Sequence, residues 1–173
     1  MVDMRQATNI SASHTADLNT GYMAVAQKGN VGSKYIYAEQ LRNNQKENVL
    51  RGYAGNVTTP VVTMYGSAGG HTQTWEYSGR SGKWFVGTKP GPKWDKQIAR
   101  VNISPLGRVF YSNTDMPRLA YLNRAGSYTF AGTELDRAEA AVSPDYSKFL
   151  LATVDTSGNG YFTIYDNTVI NDQ

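Results

Sequence analysis

Short hydrophobic runs, many of them alternating with polar residues, follow one another along the chain from residue 21 to its end. They are rich in Tyr, Val, Thr and Ile, and clusters of Gly, Pro, Asn and Ser separate them, a pattern that favours β-strands over helices. Residues 1–20 are polar and show no periodicity, which predicts a flexible lead-in. The pattern predicts an all-β chain with strands at residues 22–27, 34–41, 49–53, 61–65, 71–78, 83–88, 97–103, 137–143, 148–155 and 160–166.

The order of these strands repeats along the chain. Residues 71–88 and 137–153 each contain a polar strand, a tight polar turn, a lysine and an apolar strand, and each is followed by a third strand. A fainter copy begins at Gly21. Repeats of this kind are typical of β-propeller blades. We therefore expect a single all-β, propeller-like domain over residues 21–173, with repeats near residues 21–65, 70–103 and 134–166.

The clearest repeat contains the hairpin at residues 141–151, which reads apolar-Ser-Pro-Asp-x-x-Lys-apolar. Pro144 presets φ at the second position of a turn, and Asp145 can accept hydrogen bonds from the backbone that follows. Such a hairpin resembles the turn between the first two strands of many propeller blades. About three blades are the leading prediction, and a β-sandwich is the alternative.

A closed propeller ring needs at least about four blades. An open array of three would leave strand edges unpaired, which promotes association. The sequence therefore predicts that the chain is part of a longer protein or that copies of it complete a ring together.

Composition narrows the class of protein. A chain of 173 residues with 40% hydrophobic and 18% charged residues is typical of a globular domain with a sizeable core. The net charge of +3 biases it mildly towards anionic surfaces such as teichoic acids or acidic lipids. The sequence contains no dense basic run with interleaved aromatic residues, so we do not expect it to bind nucleic acid. The chain lacks cysteine, an apolar stretch of the roughly 20 residues that a membrane span needs, and a visible secretory signal.

The strand at residues 71–78 carries the first candidate binding residues. His71, Gln73 and Trp75 alternate and so are expected to share one face. A sugar ring could stack on the indole while the imidazole and the amide take its hydroxyls. In the second copy Arg137 and Glu139 occupy the corresponding positions. Inner propeller strands line a central channel, so this polarity recurs where a ligand could bind; the alternative is that neighbouring blades satisfy these polar groups.

A second candidate is the segment at residues 112–124, which contains Asn113, Asp115 and Arg118. Its amide, carboxylate and guanidinium groups suit glycan or phosphate contact, since arginine donates to pairs of oxygens. The favoured alternative is a loop between blades in which Asp115 and Arg118 pair with each other.

Metal and catalytic signatures are weak. Five residues match the spacing of a calcium loop, but the flanking residues predict strands, so a Gly-rich hairpin turn is the better interpretation. No nucleophile elbow, phosphate loop or zinc-binding motif is present. We expect no metal, no cofactor and no enzymatic activity, although a pair of carboxylates could in principle act as in a glycosidase. The calcium-like positions are Asp155, Ser157, Asn159, Gly160 and Asp166, and the candidate carboxylates are Glu76, Glu134, Glu139 and Asp145.

Several long, ordered runs resemble the helveticin J-like large bacteriocins of lactic-acid bacteria. They are residues 20–22, 25–37, 68–76, 96–101, 111–115, 117–119, 121–127 and 138–146. The matching runs fall in the N-terminal half of longer family members. The resemblance implies a secreted, heat-labile antibacterial protein active against related lactobacilli, with no established cofactor.

The leading hypothesis is a binding protein that recognises a glycan or anionic polymer of the cell envelope of related Gram-positive bacteria. A cell-wall hydrolase that uses a carboxylate pair is one alternative. An assembly or immunity partner of a full-length bacteriocin is the other.

Overall fold

The computed structural model describes residues 11–44, 46–67, 70–90, 93–103, 107–112, 115–119 and 134–173. Within these ranges the chain forms eleven strands and one short helix, so the predicted all-β class is confirmed. The strands are β1 (Ala26–Val31), β2 (Ile36–Arg42), β3 (Glu47–Tyr53), β4 (Val62–Gly66), β5 (Trp75–Tyr77), β6 (Lys83–Pro90), β7 (Asp95–Asn102), β8 (Gly107–Tyr111), β9 (Leu135–Val142), β10 (Lys148–Asp155) and β11 (Gly160–Asp166), and the helix is α1 (Asn167–Asn171).

The strands form three sheets. The first sheet has the order β1-β2-β3-β4-β8, the second β5-β6-β7 and the third β11-β10-β9. Neighbouring strands are antiparallel except for β8, which is parallel to β4. Their register begins with Val62 opposite Gly107 and ends with Gly66 opposite Tyr111. Apart from β8, each sheet is a meander of strands that follow one another in the chain.

The second sheet lies between the other two, and both of its faces are buried. Trp84 and Val86 on β6 pack towards the first sheet. On the same face, Trp84 stacks on Trp75 of the neighbouring strand β5, with ring centroids 4.7 Å apart. Phe85 points the other way and meets Phe149 of the third sheet edge-on at 4.9 Å. This alternation explains why every residue from Trp84 to Thr88 is buried. Face-to-face stacking in chain order is how neighbouring propeller blades pack, and a closed ring stays a prediction.

The first strands of the three sheets, β1, β5 and β9, lie side by side, and we call them the inner strands. The Lys28 ammonium on β1 is 2.9 Å from the Glu76 carboxylate on β5. The backbone N–H of Ala140 on β9 donates to the Thr74 hydroxyl at 2.8 Å. These contacts bring residues from all three sheets to a common axis.

The first strand begins later than the sequence predicts. Residues 22–25 lie outside β1 because the Tyr22 ring packs against the Arg42 and Arg51 guanidinium groups, 4.5 and 4.3 Å from its centroid. Part of the turn predicted over residues 28–33 is instead strand, and Val31 pairs with Ile36. No strand was predicted where β8 lies.

Helix α1 joins the second and third sheets. The Asp166 carboxylate caps it by accepting a hydrogen bond from the Thr168 N–H at 2.8 Å. The buried amides of Asn167 and Asn171 both donate to the Ser78 carbonyl, at 2.9 and 2.8 Å. No helix among the described residues is long and apolar enough to cross a membrane.

Candidate functional site

Four of the residues predicted to bind a ligand meet at the start of the inner strands. The Arg137 guanidinium donates to the Gln73 side-chain carbonyl at 2.8 Å and to the Glu139 carboxylate at 3.1 Å. The His71 ring is 2.8 Å from the side-chain carbonyl of Gln27 on β1. One side-chain network therefore joins all three sheets.

Trp94 completes this site, and sequence reasoning did not identify it. Its ring centroid is 4.2 Å from that of His71, and the Arg137 guanidinium lies 3.8 Å from the same ring. Trp94 is half-buried and directly precedes β7. The signal that could have found it is a tryptophan that closely follows a Pro-Gly-Pro sequence and comes shortly before a predicted strand. We call Gln27, His71, Gln73, Trp94, Arg137 and Glu139 the inner cluster.

Two threonines on the opposite face of the segment before β5 hold the Glu139 carboxylate in place. The Thr74 hydroxyl donates to it at 2.7 Å and the Thr72 hydroxyl at 3.4 Å, and both threonines are fully buried. The Gln73 backbone N–H also donates to Glu139, at 3.0 Å. Because buried groups fix this carboxylate, the inner cluster is ordered before any ligand arrives.

Gly87 makes room for this support. A Cβ at Gly87 would lie 2.1 Å from the Thr72 hydroxyl and 3.1 Å from a carboxylate oxygen of Asp95. Both distances are shorter than ordinary contacts, so only glycine lets Thr72 approach β6 this closely.

Two further carboxyl groups are buried beside the inner cluster. Burial, together with the nearby Asp95 and Glu139, raises the pKa of Glu39 well above its usual value. Burial and Glu139 raise the pKa of Asp95 to about 8. Neither carboxyl oxygen of Glu39 has a hydrogen-bond partner in the described part of the chain. At neutral pH Asp95 is therefore mainly protonated, and burial disfavours the charged form of Glu39.

Comparison with known proteins agrees with the resemblance noted in the sequence. Residues 6–173 match the family model described as bacteriocin helveticin-J. The chain belongs to the helveticin J family. It is 50% identical over 189 aligned residues to bacteriocin helveticin-J of Lactobacillus helveticus, and the alignment covers 100% of this chain and 56% of that protein. This helveticin J family member thus spans about half the length of that relative.

The structure places Trp75 away from the inner cluster. Burial alternates from His71 to Thr74 as predicted, but these residues precede β5, and Trp75 at the start of β5 breaks the alternation and packs towards the first sheet. Trp75 is fully buried and stacks on Trp84 in the core of this family member. It contributes to packing and is out of reach of a ligand.

The other predicted segment lies at the outer edge of the second sheet. Arg118 forms a backbone bridge with Ala99 on β7, which lies at the opposite edge of the second sheet from β5. The exposed Asp115 carboxylate accepts a hydrogen bond from the Ser112 backbone N–H. Asn113 lies outside the described residues. The structure therefore does not bring Asp115 and Arg118 to the inner cluster.

The remaining candidate carboxylates have structural partners. Asp155 accepts hydrogen bonds from the N–H groups of Ser157 and Asn159, each at 2.9 Å, and so organises the hairpin between β10 and β11. Hydrogen bonds from Asn159 lower the pKa of Asp155 below its usual value. Glu76 and Glu134 form ion pairs with Lys28 and Lys96, at 2.9 and 3.3 Å.

Proposed function

We propose that this helveticin J family member binds a hydroxyl-rich glycan of the bacterial cell envelope at the inner cluster. The observation that carries the proposal is the convergence of two amides, an imidazole, a guanidinium, a carboxylate and an indole from three sheets. Ligand sites typically combine an apolar surface with a few well-placed polar groups, and this set matches the alternating hydroxyls and C–H faces of a sugar.

The charge of the inner cluster favours a neutral glycan over an anionic polymer. The single guanidinium of the cluster is already paired with the Glu139 carboxylate at 3.1 Å. A phosphate that approached Arg137 would therefore meet the negative charge of Glu139 as well. The positive net charge of the chain would act at longer range, by attracting the protein to an anionic cell surface.

The relative's name supports an antibacterial role. Because the relative is described as a bacteriocin, we propose that this protein acts on bacteria outside the cell that makes it. Recognition of an envelope glycan would be the first step of that action.

We also propose that a second copy of this chain is a partner. The outer face of the third sheet carries the large side chains Phe162 and Ile164, which are 78% and 68% exposed. In the stack of three sheets, a further sheet would cover this face. Since the chain spans about half the length of its relative, a second copy would supply a comparable length of chain.

Calorimetric titration tests glycan binding at the inner cluster. Purified, uncharged wall polysaccharide and muropeptides from Lactobacillus cells would be titrated into the folded protein. Arg137→Gln is expected to weaken binding at least about tenfold, because it removes a charged donor from the site.

Arg108→Gln is the matched control, since it removes the same charge from an exposed position on β8. The control is expected to bind like the parent protein. No binding by the folded parent, or an equal loss in both variants, would contradict the proposal.

A further inference from the structure

A second concave site lies at the opposite end of the inner strands. The ends of β1, β5 and β9 meet there, and together with the start of β2 they enclose a cleft of about 790 Å³. This volume lies within the range of about 300–1,000 Å³ that is usual for ligand pockets. We call it the aromatic cleft, and its principal side chains are Tyr35, Tyr37, Tyr77, Trp84 and Tyr146.

The rings of the aromatic cleft form one continuous wall. Tyr77 meets Tyr146 edge-on with ring centroids 5.3 Å apart, and it lies 5.3 Å from Trp84. Trp84 in turn is 4.6 Å from Tyr37. The wall thus draws on all three sheets, since Tyr37 belongs to the first, Trp84 to the second and Tyr146 to the hairpin of the third.

Tyr146 has an uncommon backbone conformation. Its φ is +59°, in the left-handed region that bulky residues rarely adopt, and its side chain remains 48% exposed. Residues held in this way occur often at ligand sites, where the surrounding structure enforces the conformation.

The hairpin between β9 and β10 enforces this conformation. The Asp145 carboxylate accepts hydrogen bonds from the Ser147 N–H at 3.1 Å and from the Ser147 hydroxyl at 2.9 Å. Hydrogen bonds from Ser143 and Ser147 lower the pKa of Asp145 to about 2, so the carboxylate stays ionised at neutral pH. The turn is therefore held in one shape in the absence of a ligand.

Gly79 makes room for the Tyr146 side chain on the other side. Its φ is +84°, and a Cβ there would lie 2.8 Å from the Cβ of Tyr146. A residue with a side chain at position 79 would push the ring away from Tyr77. The second and third sheets thus each contribute a feature that fixes the ring at the mouth of the cleft.

We infer that the aromatic cleft binds a saccharide. Sugar rings place their C–H faces on aromatic rings. Hydroxyl groups at the cleft, such as those of Ser33 and Ser81, suit hydrogen bonds to sugar hydroxyls. An acyl chain would leave these hydroxyls without partners, at a cost in free energy.

This site is separate from the inner cluster. Along the inner strands and the segment before β5, the nearest residues of the two sites are three positions apart, which is roughly 10 Å. The inference therefore does not depend on the proposed function. Two sites on one axis would let the protein hold a wall polymer at two points, which raises its avidity.

The test is an NMR titration of the full chain with the trisaccharide of N-acetylglucosamine. The expected result is a shift of amide signals at residues 33–35, 77 and 142–146. Tyr146→Gly removes the ring and relieves the strained φ, so this variant should fold and bind the trisaccharide roughly fivefold more weakly. Tyr146→Phe keeps the ring and should bind within about twofold of the parent.

Two controls separate this site from others. Trp94→Ala alters the inner cluster and should leave binding in the aromatic cleft unchanged, and Phe162→Ala removes an exposed aromatic ring elsewhere. The inference is overturned if the trisaccharide shifts no signal at the cleft, if it shifts only signals at residues 71–73, 94 and 137–139, or if Tyr146→Gly binds as tightly as the parent.

Discussion

Two buried carboxyl groups beside the inner cluster make stability depend on pH. Glu39 and Asp95 have raised pKa values in the folded protein, that of Asp95 being about 8. In the unfolded chain they ionise near pH 4. Between those values the folded state binds more protons than the unfolded state, so the free energy of unfolding falls as the pH rises.

We expect urea unfolding to show a fall of more than about 1 kcal/mol between pH 5 and pH 8. Asp95→Asn should reduce this fall, because an amide does not ionise. The matched control is Asp17→Asn, whose side chain is 96% exposed and which should keep the parent's pH dependence. An unchanged pH dependence in Asp95→Asn would argue against a raised pKa at this position.

At the same scale, the sequence identified most of the inner cluster. Alternation along one strand, and its repetition in a second copy, were enough to select His71, Gln73, Arg137 and Glu139. Trp94 was missed because it lies between two predicted strands and reaches the site only through the packing of β7. Trp75 was included because alternation was expected to continue unbroken along a strand from residue 71, whereas Thr74 and Trp75 are both buried and the strand begins only at Trp75.

Helix α1 shows how a short element can hold two sheets together. Its five residues are too few for a stable isolated helix, so tertiary contacts must hold it. The Asn167 amide donates to the Ser78 carbonyl in the second sheet's hairpin and to the Tyr146 carbonyl in the third, each at 2.9 Å. Asn167 is 1% exposed, so its amide makes these hydrogen bonds from a buried position.

We therefore expect Asn167→Ala to lower the free energy of unfolding by about 1–3 kcal/mol, because it removes two hydrogen bonds that a buried amide makes between the sheets. Chemical denaturation measures this loss. Val169→Ala, in the same helix but 58% exposed, should change stability by less than about 0.5 kcal/mol. Equal losses of stability in the two variants would show that the hydrogen bonds of the Asn167 amide do not stabilise the protein.

The sequence predicted the antiparallel hairpins of the second and third sheets well. Their turns are local, and residues such as Pro144 and Gly158 mark them directly. It did not predict β8, since a five-residue strand that pairs in parallel with β4 has no local turn to announce it. The start of β1 was predicted too early because Tyr22 is aromatic and flanked by alternating residues. In the structure Tyr22 is not part of a strand, and its ring packs against Arg42 and Arg51.

Over the whole molecule, exposed large side chains gather at the two ends of the stack. Phe162 and Ile164 project from the third sheet, while Val31 and Phe110 project from the outer face of the first, at 80% and 64% exposure. Because buried apolar area stabilises association, these ends fit the proposal that a second copy packs against the stack.

Sedimentation equilibrium is expected to show a dimer or a larger assembly. The double variant Phe162→Ser with Ile164→Ser should be mainly monomeric, with an apparent dissociation constant at least about tenfold higher. Val169→Ser, an exposed apolar position on α1, serves as the control and should associate like the parent. A parent protein that is monomeric at every concentration would rule out this mode of assembly.

The parallel pairing of β8 with β4 affects the order in which the chain can fold during synthesis. Strands β1 to β4 can pair as soon as they leave the ribosome, since each hairpin is local. The edge of β4 then stays open until residue 111 has emerged, by which time the whole second sheet has been made. Long-range pairings form slowly, and an open edge can recruit other chains in the meantime. Nascent chains that stall before β8 should therefore be the ones that aggregate.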